Sequence, residues 1–422
     1  SSDLIVGRIL ETSGYTLTDR IEEAACIFLN TCAVREKAHE KIYSRLDSLR
    51  HYREKNQARI GILGCMAQNL SDDLLAQGLP IDIIAGPDAY RQLPDLIARS
   101  ATGPAMNTRL SIQENYEDID GAMVSPGGVT ASLSIMRGCD NFCTFCVVPY
   151  TRGRERSNSP ESIVQRIQNL HEQGVQEVLL LGQNVNSYRS GDVDFCGLVQ
   201  RIISETRVAR IRFTSPHPHD FPVHLLQLMA KEDRFCSQIH LPLQSGSSSV
   251  LERMKRDYTR EEFLDLVRTM RSIIPDPGLS TDVIVGFPGE TEADFEATLA
   301  VLDAVRFDMA YMYRYSERRG TYAARKLPDD VPDALKQDRL EKLIRHQTAI
   351  SQANNAAEIG RRHRVLVEGR SKRSALEVAG RTLTGKTCVF KPATDLDALI
   401  GKEILVQITD STSATLRGEE VR

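Results

Sequence analysis

Short apolar runs alternate with amphipathic stretches along most of the 422 residues, the rhythm of strands that feed helices. Near the start the runs AACIFLNTC (Ala24 to Cys32), RIGILGC (Arg59 to Cys65) and IDIIAGP (Ile81 to Pro87) are continuous rather than alternating. They predict parallel strands buried on both faces. Polar helical sequence follows each, so residues 1–110 are expected to form a small doubly wound α/β unit, with ligand residues outside the carboxyl ends of its strands. The chain opens on SSDLIVGRILETSGY, where Leu4, Ile5, Ile9 and Leu10 recur at helical spacing and Gly14 supplies the stop. A unit of this kind that begins on its first helix implies a strand before it.

Residues 111–130 carry little periodicity and contain Pro126, Gly127 and Gly128, which predicts a linker. From Ala131 the pattern resumes with longer repeats. Six runs read as strands: SLSIMRG, EVLLLGQ, RIRFTSP, QIHLPLQ, STDVIVGFP and MAYMYRYS. The helix between the first two has Ser159 to cap it, Pro160 in its first turn and Gly174 to end it. Six strand and helix units over residues 131–358 predict a partial, open (β/α)6 TIM-like barrel with function at the carboxyl ends of its strands. A long helix with an apolar stripe of Leu335, Leu340, Leu343, Ile344 and Ile350 closes this part. Residues 359–422 turn to short β-rich runs between Gly, Lys and Asp turns, the pattern of a small antiparallel β-barrel.

Composition narrows the class. Apolar residues make up 41% and charged residues 26%, ordinary for a globular protein, and no apolar run approaches the roughly 20 residues that span a bilayer. A cytoplasmic protein without membrane contact is expected. Nine cysteines are too sparse for a disulfide scaffold in a chain this long, so their chemistry is expected to be metal ligation in a reducing compartment. The net charge of -4 excludes a uniformly basic surface, yet Arg361, Arg362, Arg364, Arg370, Lys372, Arg373, Arg381, Lys386 and Lys391 face only two acids, Glu368 and Glu377, in the same stretch. Such a run is either a solvated face or a phosphate-binding one.

The sharpest chemical signal is GCDNFCTFCVVP, which sets Cys139, Cys143 and Cys146 in a C-x3-C-x2-C run with Phe145 before the last cysteine. Three thiolates hold three irons of a cubic 4Fe-4S cluster and leave the fourth open. A zinc site wants four ligands, and neither a second cysteine pair nor a nearby histidine completes a tetrahedron here. Polar residues that end the barrel strands, Gln183, Asn184, Ser215, His217, Gln244 and Ser245, together with Gly286, are candidates for a nucleoside pocket. Cys32 and Cys65 form a second constellation, because both follow strands and precede helices in the first unit. Helix N-termini favour the thiolate that binds iron. Cys26, Cys196, Cys236 and Cys388 read instead as small buried hydrophobes.

The motifs NTCAVREKAHEKI, GCMAQ, SIMRGCDNFCTFCVVPYTRGRERS, LLLGQNVNSY, HLPLQSGSSSVLERMKRDYTREEF and DVIVGFPGETEADFEATL resemble, in order and spacing, those of the radical SAM methylthiotransferases over nearly the whole chain. The stretches after NTC and around the cysteine loop are most similar to the MiaB-type branch, which acts on N6-isopentenyladenosine next to the tRNA anticodon. The resemblance implies two 4Fe-4S clusters: one on Cys139, Cys143 and Cys146 that reduces S-adenosylmethionine (SAM), and an auxiliary one on Cys32, Cys65 and a third cysteine that this sequence does not contain. It implies two SAM molecules, one a methyl donor and one a radical source, and methylthiolation of C2 of the base. It also makes the last unit a TRAM module that binds the anticodon stem-loop, with Arg361, Arg362, Arg364, Lys372 and Arg373 as contacts, and an electron donor such as flavodoxin or ferredoxin. Arg152 and Arg154 stand between two readings, contact with the base and ion pairing at the barrel rim. A monomer is expected. The competing readings are a methylthiotransferase for threonylcarbamoyladenosine or for a ribosomal protein aspartate, and a non-catalytic RNA-binding protein.

Overall fold

The computed structural model describes residues 2–31, 36–119, 121–125 and 127–421, excluding the side chains of residues 36–40. The chain divides into two compact units. The first comprises residues 1–122, 136–158 and 316–327, so the cysteine loop groups with the N-terminal sheet.

In that unit, Cys26–Thr31, Arg59–Gly64, Ile83–Ala85 and Ala105–Asn107 pair in parallel, in chain order. Alternate residues of each strand point to opposite faces, and both faces are covered. Leu63 and Ile83 pack with Val6, Ile9, Leu10 and Leu93 on one side, while Ile60, Ile62 and Ile84 pack with Leu46, Leu49 and Leu74 on the other. This double burial is why the strands are continuous apolar runs rather than alternating ones. The opening helix spans Ser2–Thr12, and Gly14 follows at φ 89°. The stretch expected to be a linker is tied down at several points: Tyr116 is 1% exposed and its hydroxyl donates to the Pro87 carbonyl at 3.0 Å, Glu114 and Asp118 pair with Arg91, and Ser111 N donates to Asp88 at 3.0 Å.

In the second unit all six expected barrel strands form. Thr130–Ser134, Glu177–Leu181 and Arg210–Phe213 pair in parallel, as do Gln238–His240, Gly278–Val285 and Met309–Arg314. An isolated parallel bridge from Ile211 to Phe235 joins the two sets. Helices follow the strands, and two begin with reciprocal capping boxes, Thr259 with Glu262 and Thr291 with Asp294. The sixth strand is an edge: Met309 is 45% and Tyr311 47% exposed, which is how an open barrel differs from a closed one.

Five strands from Arg362–Arg370 to Leu416–Glu420 close into a small barrel around Val365, Val367, Phe390, Val406 and Ile408. It rests on the amino ends of the large barrel's strands. Arg210, fully buried, donates to Glu403 at 2.6 Å and to the carbonyls of Arg381 and Arg364 at 2.6 and 3.0 Å. No helix among the described residues is long and apolar enough to cross a membrane.

Candidate functional site

The cysteine loop is pinched at its base by a two-residue ribbon, in which Met136 pairs with Ser157 and Arg137 with Arg156. Gly138 follows at φ 83°, where an added Cβ would lie 2.0 Å from the Arg154 carbonyl oxygen. Only glycine fits that approach. Cys139 N donates to Gly153 O at 3.2 Å and Cys146 N to Cys143 O at 2.9 Å, while Phe142 takes φ 48° to turn the chain between them. Val148–Arg152 forms a short helix that Gly153 ends at φ 72°. On the other side Ala323 N donates to Thr144 O at 2.8 Å. The loop therefore has a fixed backbone. Cys139 and Cys143 are buried at 8% exposure each, and Cys146 is half-buried.

Beneath the loop lies a buried cationic platform that the sequence reading missed. Asp88, with no side-chain exposure, accepts from Arg156 at 2.9 Å and lies 3.5 Å from Arg137; both arginines are 6% exposed. Two guanidiniums share one carboxylate, leaving an excess of positive charge. Burial and the neighbouring Arg152 push the proton affinity of Arg137 down. Asp88 has no signature in the sequence beyond its place after the third strand. Arg137 and Arg156 lie on either side of the loop and are register partners in its ribbon, and that flanking is the signal the sequence offers.

Cys65 stands in the same unit. It follows Gly64, whose φ of 92° is enforced by the Thr31 carbonyl 2.5 Å from where a Cβ would be, and it opens the helix Cys65–Ala76. Val147 packs against it, and Arg152 Nε donates to its sulfur at 3.2 Å. Thr31 and Gly64, which precede Cys32 and Cys65 in sequence, are register partners. Cys32 itself lies outside the described residues. Arg154, the other arginine singled out, pairs with Asp140 at 2.7 Å and lies over the Phe142 ring.

Among the described residues no three His, Cys, Asp or Glu side chains gather at single-ion distance. A cubic cluster sets its thiolates farther apart, each on its own iron. An all-sulfur donor set on a rigid loop above positive charge fits such an anionic cluster. Of the remaining cysteines Cys196, Cys236 and Cys388 are buried, as expected, whereas Cys26 is only half-buried; burial pushes the thiol of Cys388 up to about 12 and that of Cys236 to about 11, and raises those of Cys26 and Cys196.

At the strand ends of the second unit, His217 is the most informative side chain. It is 6% exposed, and Asn186 clamps its backbone, accepting from His217 N at 2.7 Å and donating to His217 O at 3.1 Å. Its Nδ1 accepts from His219 N at 3.3 Å, so the neutral ring carries its proton on Nε2, which has no hydrogen-bond partner among the described residues. Burial, reinforced by Arg256, lowers its pKa to about 3. Ser215 and Gln244 take left-handed backbone, φ 62° and 68°, at the ends of adjacent strands. Such conformations cluster at ligand sites. Asn184 is 2% exposed, and its carbonyl accepts from Ser187. Ser245 is fully buried beside Thr298, its hydroxyl engaged with Ser247 N at 3.2 Å. Gly286 at φ 71° makes room for Lys336, whose Cγ a Cβ would meet at 2.3 Å, and its N–H donates to Glu290. Those last two positions serve packing.

In the small barrel the basic residues divide. Arg361 pairs with Asp276, Arg370 with Asp397, Arg381 with Glu368, and Lys386, 9% exposed, with Asp308 and Glu358. Arg364 lies 3.7 Å from Asp233. Arg362 donates to Gln407. Lys372, Arg373 and Lys391 are exposed, with no carboxylate at ion-pair distance among the described residues.

Residues 133–302 match the Radical SAM superfamily, residues 2–86 the uncharacterized protein family UPF0004, and residues 356–421 the TRAM domain. Among solved structures the chain is similar in fold to a radical S-adenosylmethionine methyltransferase, TsrM, from Kitasatospora setae with cobalamin and a 4Fe-4S cluster bound. That likeness has TM-score 0.57 and 15% identity, and covers 76% of this chain and 70% of that one. The fold and the three-cysteine loop thus define a radical SAM protein with a TRAM module. Proteins called tRNA-2-methylthio-N(6)-dimethylallyladenosine synthase are far closer in sequence. The one from Porphyromonas gingivalis is 44% identical across 99% of this chain and 91% of its own length, and that from Phocaeicola vulgatus 43% across 99% and 92%. The chain belongs to this family of radical SAM methylthiotransferases.

Proposed function

We propose that this protein methylthiolates C2 of N6-isopentenyladenosine beside the anticodon of tRNA, using SAM both as methyl donor and as radical source. The observation that carries the reading is the rigid three-thiol loop above buried positive charge, in a chain whose relatives share their name over nearly its full length. Cys139, Cys143 and Cys146 would hold a 4Fe-4S cluster, which when bound would supply the electron for cleavage of SAM. An auxiliary cluster, with Cys32 and Cys65 among its ligands, is the site of sulfur delivery.

The protein's own groups bind and orient. Gly138 and the ribbon at Arg137 and Arg156 fix where the three sulfurs sit, and Phe145 lies within the loop. His217 Nε2–H is a neutral donor for an oxygen of the SAM nucleoside or of its carboxylate, beside Ser215, Gln183, Asn184 and Gln244. The target adenine leaves its stack to reach the reacting atoms, as base-modifying chemistry demands. Lys372 and Arg373 grip the phosphate backbone with Arg361, Arg362 and Arg364. Residues 1–110, 131–358 and 359–422 are the sulfur-delivery, radical SAM and TRAM parts, with 111–130 between them. The protein works in the cytoplasm as a monomer, reduced by a flavodoxin or ferredoxin.

The test is incubation of the reconstituted enzyme with SAM, reductant and either isopentenylated or threonylcarbamoylated tRNA, followed by nucleoside analysis. Methylthiolation of the isopentenylated base alone is expected. Product from threonylcarbamoyladenosine alone would reassign the substrate.

A further inference from the structure

Two side chains that follow the three cysteines lie on Cys65, Val147 through apolar contact and Arg152 through a hydrogen bond. Arg152 Nε lies 3.2 Å from Cys65 Sγ, a close N–H···S contact, and both belong to the same compact unit. The contact is anchored at both ends. Cys65 cannot shift, because Gly64 turns against the Thr31 carbonyl just before it and Val147 covers it. Arg152 ends a short helix, and its carbonyl accepts from Arg156 Nη2 at 2.7 Å, which is in turn fixed by Asp88. Arg154, two residues on, is 66% exposed and spends its Nε on Asp140 at 2.7 Å. The two arginines therefore have different work.

We propose that Arg152 is a positioning residue for the sulfur-delivering site, whose guanidinium hydrogen-bonds the iron-bound Cys65 sulfur and raises the reduction potential of the auxiliary cluster. The inference rests on the reading that Cys65 ligates such a cluster. A ligated thiolate still accepts hydrogen bonds, and a donor that is also a cation stabilises the more negative, reduced state more than the oxidised one. The guanidinium suits this better than an ammonium, since its planar fork directs one N–H along a fixed line from a side chain already held by its backbone. Arg137 and Arg156, sharing Asp88, add positive charge on the same side. The loop that cleaves SAM thus reaches the sulfur site through Arg152 and Val147, and changes at one site bear on the other.

The experiment uses the full chain, reconstituted anaerobically, with Cys139, Cys143 and Cys146 replaced by Ala so that the auxiliary cluster alone gives the EPR signal. Arg152→Gln, Arg152→Lys and Arg154→Gln are compared by iron and sulfide content and by redox titration. Arg152→Gln is expected to lower the midpoint potential, Arg152→Lys to lower it less, and Arg154→Gln to leave it unmoved. If Arg152→Gln fails to load, Arg152→Lys carries the comparison. Selective loss of auxiliary iron from both, with the loop's own cluster retained when its cysteines are restored, supports the same attraction. An unchanged potential at full iron content overturns the inference, as does loss of both clusters together, which marks a role in folding only. A parent protein that binds no iron once the loop cysteines are gone refutes instead the assignment of Cys65 to a cluster.

Discussion

Arg212 Nε lies 2.8 Å from Glu177 Oε2, and each side chain is only 3% exposed. Arg212 also donates to Gln238 Oε1 at 2.7 Å and to the carbonyls of Thr382 and Leu383 at 2.7 and 3.1 Å, so one guanidinium ties three barrel strands to the small barrel. With Arg210 beside it, the contact makes the TRAM module a fixed extension of the barrel. Truncating one partner strands the other charge, which costs about 3–5 kcal/mol. Glu177→Ala or Arg212→Ala is expected to destabilise the protein by that order in urea unfolding. Replacing both with apolar residues of similar volume is expected to cost less than either single change.

His217 gives the protein a pH dependence of definite sign. Its folded pKa, about 3, lies below the ordinary 6.5, because burial penalises the charged ring and Arg256 opposes it. The unfolded chain therefore binds a proton that the folded one refuses. This contribution to stability is fully present above pH 6.5 and is lost as the pH falls from there toward 3. In urea titrations of the apoprotein at pH 7 and pH 4.5, His217→Gln is expected to lose less stability between the two pH values than the wild type. An equal loss would show that the buried ring is not the titrating group.

The six barrel strands and the closed C-terminal barrel were legible because their physics is local: apolar runs of strand length, caps such as Ser159 and turns such as Gly174 sit in adjacent sequence. The three-cysteine loop was legible for the same reason. Asp88 and Tyr116 were not. Each gains its meaning from partners far along the chain or from a buried carbonyl, as Asp88 does with Arg137 and Arg156. The basic segment shows the converse error of counting charge along a chain. Nine cations look alike in sequence, yet Lys386 is enclosed by Asp308 and Glu358, residues that only the fold brings near.

That division predicts which cations bind RNA. Lys372 and Arg373 are exposed and without carboxylate partners among the described residues, whereas Arg381 is paired with Glu368 at 3.2 Å. Each phosphate contact removed lowers the slope of log affinity against log salt by about 0.7–0.9. The double variant Lys372→Gln, Arg373→Gln is expected to weaken tRNA binding several-fold and to flatten the slope by one to two such increments. Arg381→Gln is expected to do less, because its charge is already half spent. Filter binding across a salt series measures both, and equal effects would place the RNA on a different face.

The two cysteine sites are separable by experiment because they sit on different backbone devices within one unit. Cys143 lies in a loop fixed by its own ribbon and turn, and Cys65 opens a helix directly after the Gly64 turn that packs against the neighbouring strand. Removing the Cys143 thiol takes a ligand from the loop without touching Gly64 or the sheet. Cys143→Ala is therefore expected to abolish formation of 5′-deoxyadenosine from SAM and to reduce iron from about eight to about four per chain, one cubic cluster's worth. Cys65→Ala is expected to show the same iron loss while 5′-deoxyadenosine still forms and no methylthiolated nucleoside appears. Chromatography of nucleoside products beside iron assay distinguishes them. Equal loss of SAM cleavage in both variants would mean that a single centre serves both halves of the reaction.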